Sequence, residues 1–193
     1  MRTGLAVVSG MMAVCILTLC VVRLPARAGT TPGVVQAKEF ALVDAQGNVA
    51  ARLAIHPASG DPMLLLMDKK GAMRIALGFG PDTSPGLMLM DTAGRIRFGA
   101  EVAADGTPRL NLLDDTGAAR FTASIHPDAG GRVDLLGPGI AVRASLAESP
   151  GGGVGIGFFD KERRTRVGIF IAPDGTPEVS ILDAAGHTVW TAH

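Results

Sequence analysis

The chain has 193 residues, 47% of them hydrophobic and 19% charged, with 18 basic residues balanced by 18 acidic ones. That composition excludes intrinsic disorder, and a zero formal charge offers no field for binding a polyanion. With Tyr at 0, Trp at 1 and Phe at 7, base-stacking platforms are excluded as well, so no nucleic-acid partner is expected.

Residues 4 to 22 are uncharged and apolar, Arg2 precedes them, and Pro25-Ala26-Arg27-Ala28 supplies a small-x-small site before Gly29. The pattern predicts an N-terminal apolar helix serving as a signal peptide over 1–28, cut between Ala28 and Gly29. A retained single-pass membrane anchor is the alternative, because a run of this length just spans a bilayer. Only through residues 4–22, if uncleaved, would the chain meet a membrane. Cys20 follows the bulky Leu19 where lipoprotein processing wants a small residue. The expected destination is periplasmic or extracellular.

Cys15 and Cys20 both fall inside the apolar run, so the remaining 165 residues have no disulfide, thiolate metal site or Cys nucleophile. Without Arg2, Arg23 and Arg27 this body holds 15 basic and 18 acidic residues, a mildly acidic surface. Residues 29–37 read as a linker, and 38–193 as one repeat domain.

The body repeats with a period of 23 residues. Asp recurs at Asp44, Asp68, Asp91, Asp114, Asp160 and Asp183, with Gly three residues later at Gly47, Gly71, Gly94, Gly117 and Gly186. Arg74, Arg97, Arg120, Arg143 and Arg166 follow in phase. Each copy holds two apolar stretches separated by D-x-x-G and closed by a Pro, Asp, Gly and Thr cluster such as Pro173-Asp174-Gly175-Thr176-Pro177. This is a β-hairpin repeat, in which Asp opens a turn through backbone amides and Gly takes the left-handed residue that closes it. The expected fold is an all-β antiparallel meander of about seven hairpins, curled or rolled closed.

A four-residue D-x-x-G loop is preferred to a three-residue loop with a bulge, which would split the apolar residues between both faces; it would pair Met67 with Ala72 and Leu66 with Met73. Leu64 and Leu66 would then share a face with Met73, Ile75, Leu77 and Phe79; Leu87 and Leu89 with Ile96, Phe98 and Val102; Leu110 and Leu112 with Phe121 and Ile125. The Arg series falls opposite, beside Met67, Met90 and Leu113, where pairing with the nearby Asp residues outweighs a row for an acidic partner.

The pattern resembles a group of uncharacterised exported bacterial proteins with tandem L-x-L-x-D-x-x-G-x-x-R repeats, over residues 34 to 193. The resemblance implies a repetitive β architecture and an outer compartment, and no activity. Repeat five departs from it, with Gly137 for Asp and Ile140 for Gly; so does repeat six, with Arg163 for Gly. Both turns should differ from the rest.

No G-x-S-x-G elbow, H-E-x-x-H or phosphate loop occurs, and Gly151 to Gly157 neither satisfies G-x-G-x-x-G nor joins a strand to a helix. His56-Pro57 and His126-Pro127 occupy one position of two repeats, which shared ancestry of the copies explains without a metal. His187 and His193 stand alone in the last hairpin. Calcium solenoids gather several oxygen ligands within nine residues, whereas each copy here gives one regular Asp per turn. The Asp and Gly series is therefore expected to be structural, with no catalytic residue, metal or cofactor. A membrane β-barrel is excluded by strands too short for the span and by the missing aromatic girdles. What remains is a noncatalytic structural or binding module of the bacterial cell envelope, open to a protein partner or homo-oligomer through a sheet face or edge. The alternatives are a membrane-tethered assembly subunit and an enzyme whose site is built from turn residues.

Overall fold

The computed structural model describes residues 33–193. The expected N-terminal helix, its cleavage site at Ala28 and Gly29, and residues 29–32 of the 29–37 linker lie outside the described residues. From Glu39 onward the chain alternates strand and turn: β1 (Glu39–Val43), β2 (Val49–Ile55), β3 (Pro62–Met67), β4 (Met73–Phe79), β5 (Pro85–Met90), β6 (Ile96–Val102) and β7 (Pro108–Leu113). The second half repeats it: β8 (Ala119–His126), β9 (Gly130–Leu136), β10 (Val142–Glu148), β11 (Val154–Phe159), β12 (Thr165–Ile171), β13 (Pro177–Leu182) and β14 (Thr188–Ala192). All fourteen strands form one antiparallel sheet in sequence order, so the expected meander is present. It is not rolled closed: β1 and β14 are edges, each paired on one side.

The D-x-x-G turns correct the expected loop length. The Asp68 amide donates to the Ala72 carbonyl and the Gly71 amide to the Asp68 carbonyl, both at 2.9 Å, leaving three residues between the closing pair. Gly71 sits at φ +76°, the left-handed residue that lets so short a loop match strand twist. Beyond it Met67 faces Met73 and Leu66 faces Ile75, so Arg74 is one residue too many for its partner strand. This bulge moves Met73 off the face of Leu64 and Leu66, yet restores that face for Ile75, Leu77 and Phe79. Ile96, opposite Met90, is displaced in the same way. The expected apolar face thus survives a wrong loop length, because the bulge cancels the parity change.

Repeat six keeps the common turn: the Arg163 amide reaches the Asp160 carbonyl at 3.0 Å, with Arg163 itself at φ +66°. The expectation that this turn differs is not met, since strand pairing on both sides holds the backbone against the side chain's preference. Repeat five does differ, turning through a short 3-10 segment, Pro138–Ile140, with Gly139 at φ +67° and Ile140 at φ +54°.

One sheet face is apolar from edge to edge. A row running Phe40, Leu53, Leu64, Leu77, Leu87, Ala100, Leu110, Ala123, Val133, Leu146, Ile156, Ile169, Val179 and Ala192 crosses every strand. A parallel row from Leu42 through Ile75, Phe98, Phe121 and Phe158 to Trp190 is equally free of polar residues. The opposite face carries small and polar residues, with Leu65, Ala76, Met88, Gly99, Asn111, Thr122, Asp134 and Ser145 in register. Among the described residues only Ala54 and Ala76 are buried hydrophobics, so no second layer packs on either face.

Candidate functional site

The sequence-predicted Asp and Gly residues build turns. Asp91 shows the plan: its Oδ1 accepts the amides of Ala93 at 2.9 Å and Arg95 at 3.1 Å, while its Oδ2 accepts the Arg95 Nε at 2.9 Å. These bonds favour the carboxylate, the Arg95 amide most, and lower its pKa to about 2. Asp114 is held well below the usual carboxylate range, first by the Thr116 hydroxyl at 2.6 Å. Asp44, Asp68, Asp160 and Asp183 repeat the two-amide pattern and are likewise lowered. Gly47, Gly94, Gly117 and Gly186 share the positive φ of Gly71.

The Arg series pairs with this Asp series, as expected: Arg74 with Asp68, Arg97 with Asp91, Arg120 with Asp114 and Arg166 with Asp160. A second role was missed. Arg74, Arg97, Arg143 and Arg166 each donate Nε to the last carbonyl of the next strand, at Met90, Leu113, Phe159 and Leu182, over 2.9 to 3.0 Å. The ladder between β4 and β5 stops at Ile75 and Leu89, so the Met90 carbonyl lacks a strand partner and the guanidinium supplies one. The bulge that sets Arg74 out of register is what frees it for this bond. Arg120 instead turns both Nε and Nη2 onto Asp114.

His56 stays in its own turn, its Nδ1 3.2 Å from the Ser59 amide. His187 Nδ1 lies 3.3 Å from Asp183 Oδ2. Among the described residues no three His, Cys, Asp or Glu side chains gather as metal ligands.

Two concave features open on the small-residue face, and a third, of about 570 Å³ and lined by Leu110, Ile125, Val133 and Leu146, lies on the apolar face. A cavity of about 650 Å³ over β3 to β6 is lined by Met63, Leu65, Met73 and Met88 above Ala76, Gly78 and Gly86. A second, of about 580 Å³ over β7 to β10, is lined by Arg109, Asn111, Thr122, Ser124, Arg132 and Asp134, with His126 and Glu148 at its rim. Asn111 lines both. Within the second, Arg132 Nε binds Asp134 Oδ2 at 2.7 Å, and Arg109 Nη2 lies 3.4 Å from Asp105 Oδ2. Asp134 and its cross-strand neighbour Ser145 are buried, and Asp134 Oδ1 and Ser145 Oγ have no hydrogen-bond partner.

Sequence reasoning passed over this polar group because it looked for motifs that repeat. The signal lay in variation instead: where Asn111 and Asp134 stand, other copies place Ala41, Leu65, Met88, Gly157 and Ser180, and where Arg109 and Arg132 stand they place Glu39, Met63, Gly86, Gly155 and Glu178. The chain matches no family model and no curated protein.

Proposed function

We propose that the chain is a noncatalytic structural module of the bacterial cell envelope that assembles with a second copy of itself, apolar face against apolar face. The observation that supports this reading is the unbroken apolar surface. Twenty large side chains of that face are each 36% exposed or more, from Phe40 and Leu42 near one edge to Ile181 and Trp190 near the other. At on the order of 50 Å² apiece they present on the order of 1,000 Å², beyond the apolar patches tolerated by soluble monomers. That is also the area each partner of a stable complex buries, about 800 Å². The two continuous rows carry no charge, so nothing on them opposes a symmetric self-contact, and two sheets stacked about 10 Å apart would each cover the other. Exposed edges at β1 and β14 offer a weaker contact, as each presents only one short strand.

Sedimentation velocity on the chain recovered after export tests this. The expected species is a dimer at micromolar concentration, converted to monomer by Leu135→Lys, at a position 53% exposed on the apolar face. A wild-type monomer, or a variant that still dimerises, overturns the proposal. The envelope assignment rests on residues 1–28, and N-terminal sequencing of the exported protein should begin at Gly29.

A further inference from the structure

The two cavities share Asn111 as a lining residue and differ in chemistry. We infer that together they form one trough, a binding site for a single-chain amphiphile with an uncharged, hydroxyl-rich head group. The apolar end takes the chain: Met63, Leu65 and Met88 are flexible or aliphatic walls, and Ala76, Gly78 and Gly86 leave room between them. The polar end takes the head. Asn111, Thr122 and Ser124 offer donors and acceptors together, which is what a hydroxyl group requires of its partners.

Charge selects the head group. Both cations of the polar end are already paired, Arg132 with Asp134 and Arg109 with Asp105, so no free cation awaits a carboxylate or phosphate. Glu148 at the rim repels an anion. What the paired groups retain is hydrogen-bonding capacity, which a neutral polyol uses and a simple ion does not. Departure from the repeat supports a selected site: along one row the residues on β3 to β6 are Leu65, Ala76, Met88 and Gly99, and those on the neighbouring strands β7 to β10 are Asn111, Thr122, Asp134 and Ser145. Asn111 joins the two ends as a lining residue of both cavities. Self-association is tested apart from the trough, because Leu135 lines neither cavity.

The methionines make the site observable. Met63, Met67, Met73, Met88 and Met90 are the only Met residues among those described, and neither apolar row contains one. Methyl resonances of 13C-labelled methionine therefore report on the trough and not on the apolar face. In titration with octyl glucoside below its micelle concentration, Met63 and Met88 methyls should shift and saturate. Octanoate, glucose alone and octyltrimethylammonium should each bind about tenfold more weakly or worse. Asn111→Ala and Ser124→Ala, checked for unchanged circular dichroism, should each weaken octyl glucoside severalfold, and Leu135→Lys on the opposite face should leave it unchanged. Absence of Met63 and Met88 shifts overturns the site. Equal binding of octanoate or the cationic amphiphile, or indifference to both polar-end variants, overturns the head-group assignment. Loss of binding in Leu135→Lys would place the amphiphile on the apolar face and overturn the inference while leaving the dimer in place.

Discussion

Arg97 Nε donates to the main-chain carbonyl of Leu113 at 2.9 Å, sixteen residues on, and ties the third hairpin to the fourth. The bond depends on a planar donor directed along the strand end, which an ammonium does not supply. Arg97→Lys should therefore cost about 1 kcal/mol of stability, nearly as much as Arg97→Ala, in urea unfolding. A lysine variant as stable as wild type would reduce the contact to charge alone.

Turn strain should be readable at two positions of opposite sign. Gly94 sits at φ +76°, so Gly94→Val should destabilise by about 1 kcal/mol or more. Arg163 holds the equivalent position at φ +66°, and Arg163→Gly should raise stability by about 1 kcal/mol. Gly99→Ala is the control, having an ordinary φ and open space at its Cβ. Thermal melts of the three variants should rank Gly94→Val lowest and Arg163→Gly highest.

Acid should weaken the fold through the turn carboxylates. Their folded pKa values are depressed, Asp91 to about 2 from an ordinary 3.8, so the unfolded chain takes up protons first as pH falls. The stabilisation is complete above about pH 4 and disappears as pH falls toward 2. Urea midpoints measured downward from pH 5 should decline over that window, and Asp91→Asn should decline less steeply. A wild-type midpoint constant down to pH 2 would show that the turn bonds do not couple to folding.

Chelation should leave melting unchanged. A calcium ion held at 100 times its dissociation constant would contribute about 2.7 kcal/mol, which a thermal melt with and without chelator resolves. Each turn Asp already spends its Oδ1 on two amides, so loss of stability in chelator would contradict the capping role of Asp44, Asp68, Asp91, Asp114, Asp160 and Asp183.

Period and parity made the hairpins and the apolar face legible in the sequence, because both are properties of alternation that any one copy repeats. The loop length was not legible: three residues plus a bulge and four residues without one leave Leu66 and Ile75 on the same face. Only the placement of Met73 distinguishes them, and a methionine is at home on either side. The carbonyl bond of Arg97 was hidden for the same reason, since it exists only where the bulge ends the ladder. Arg109, Asn111 and Asp134 were hidden differently. They occupy positions whose residue varies from copy to copy, so recurrence does not mark them.

Strands in substantial contact are always consecutive in the chain, β1 with β2 through β13 with β14. No tertiary contact of consequence waits for distant segments to meet, so loop closure is inexpensive everywhere and any hairpin can act as a nucleus from which order spreads in both directions. The same linearity makes the molecule modular in an evolutionary sense. Excising or duplicating one internal 23-residue unit would hand each remaining strand an equivalent neighbour, changing the length of the sheet while leaving its register, its turns and the arginine ties intact.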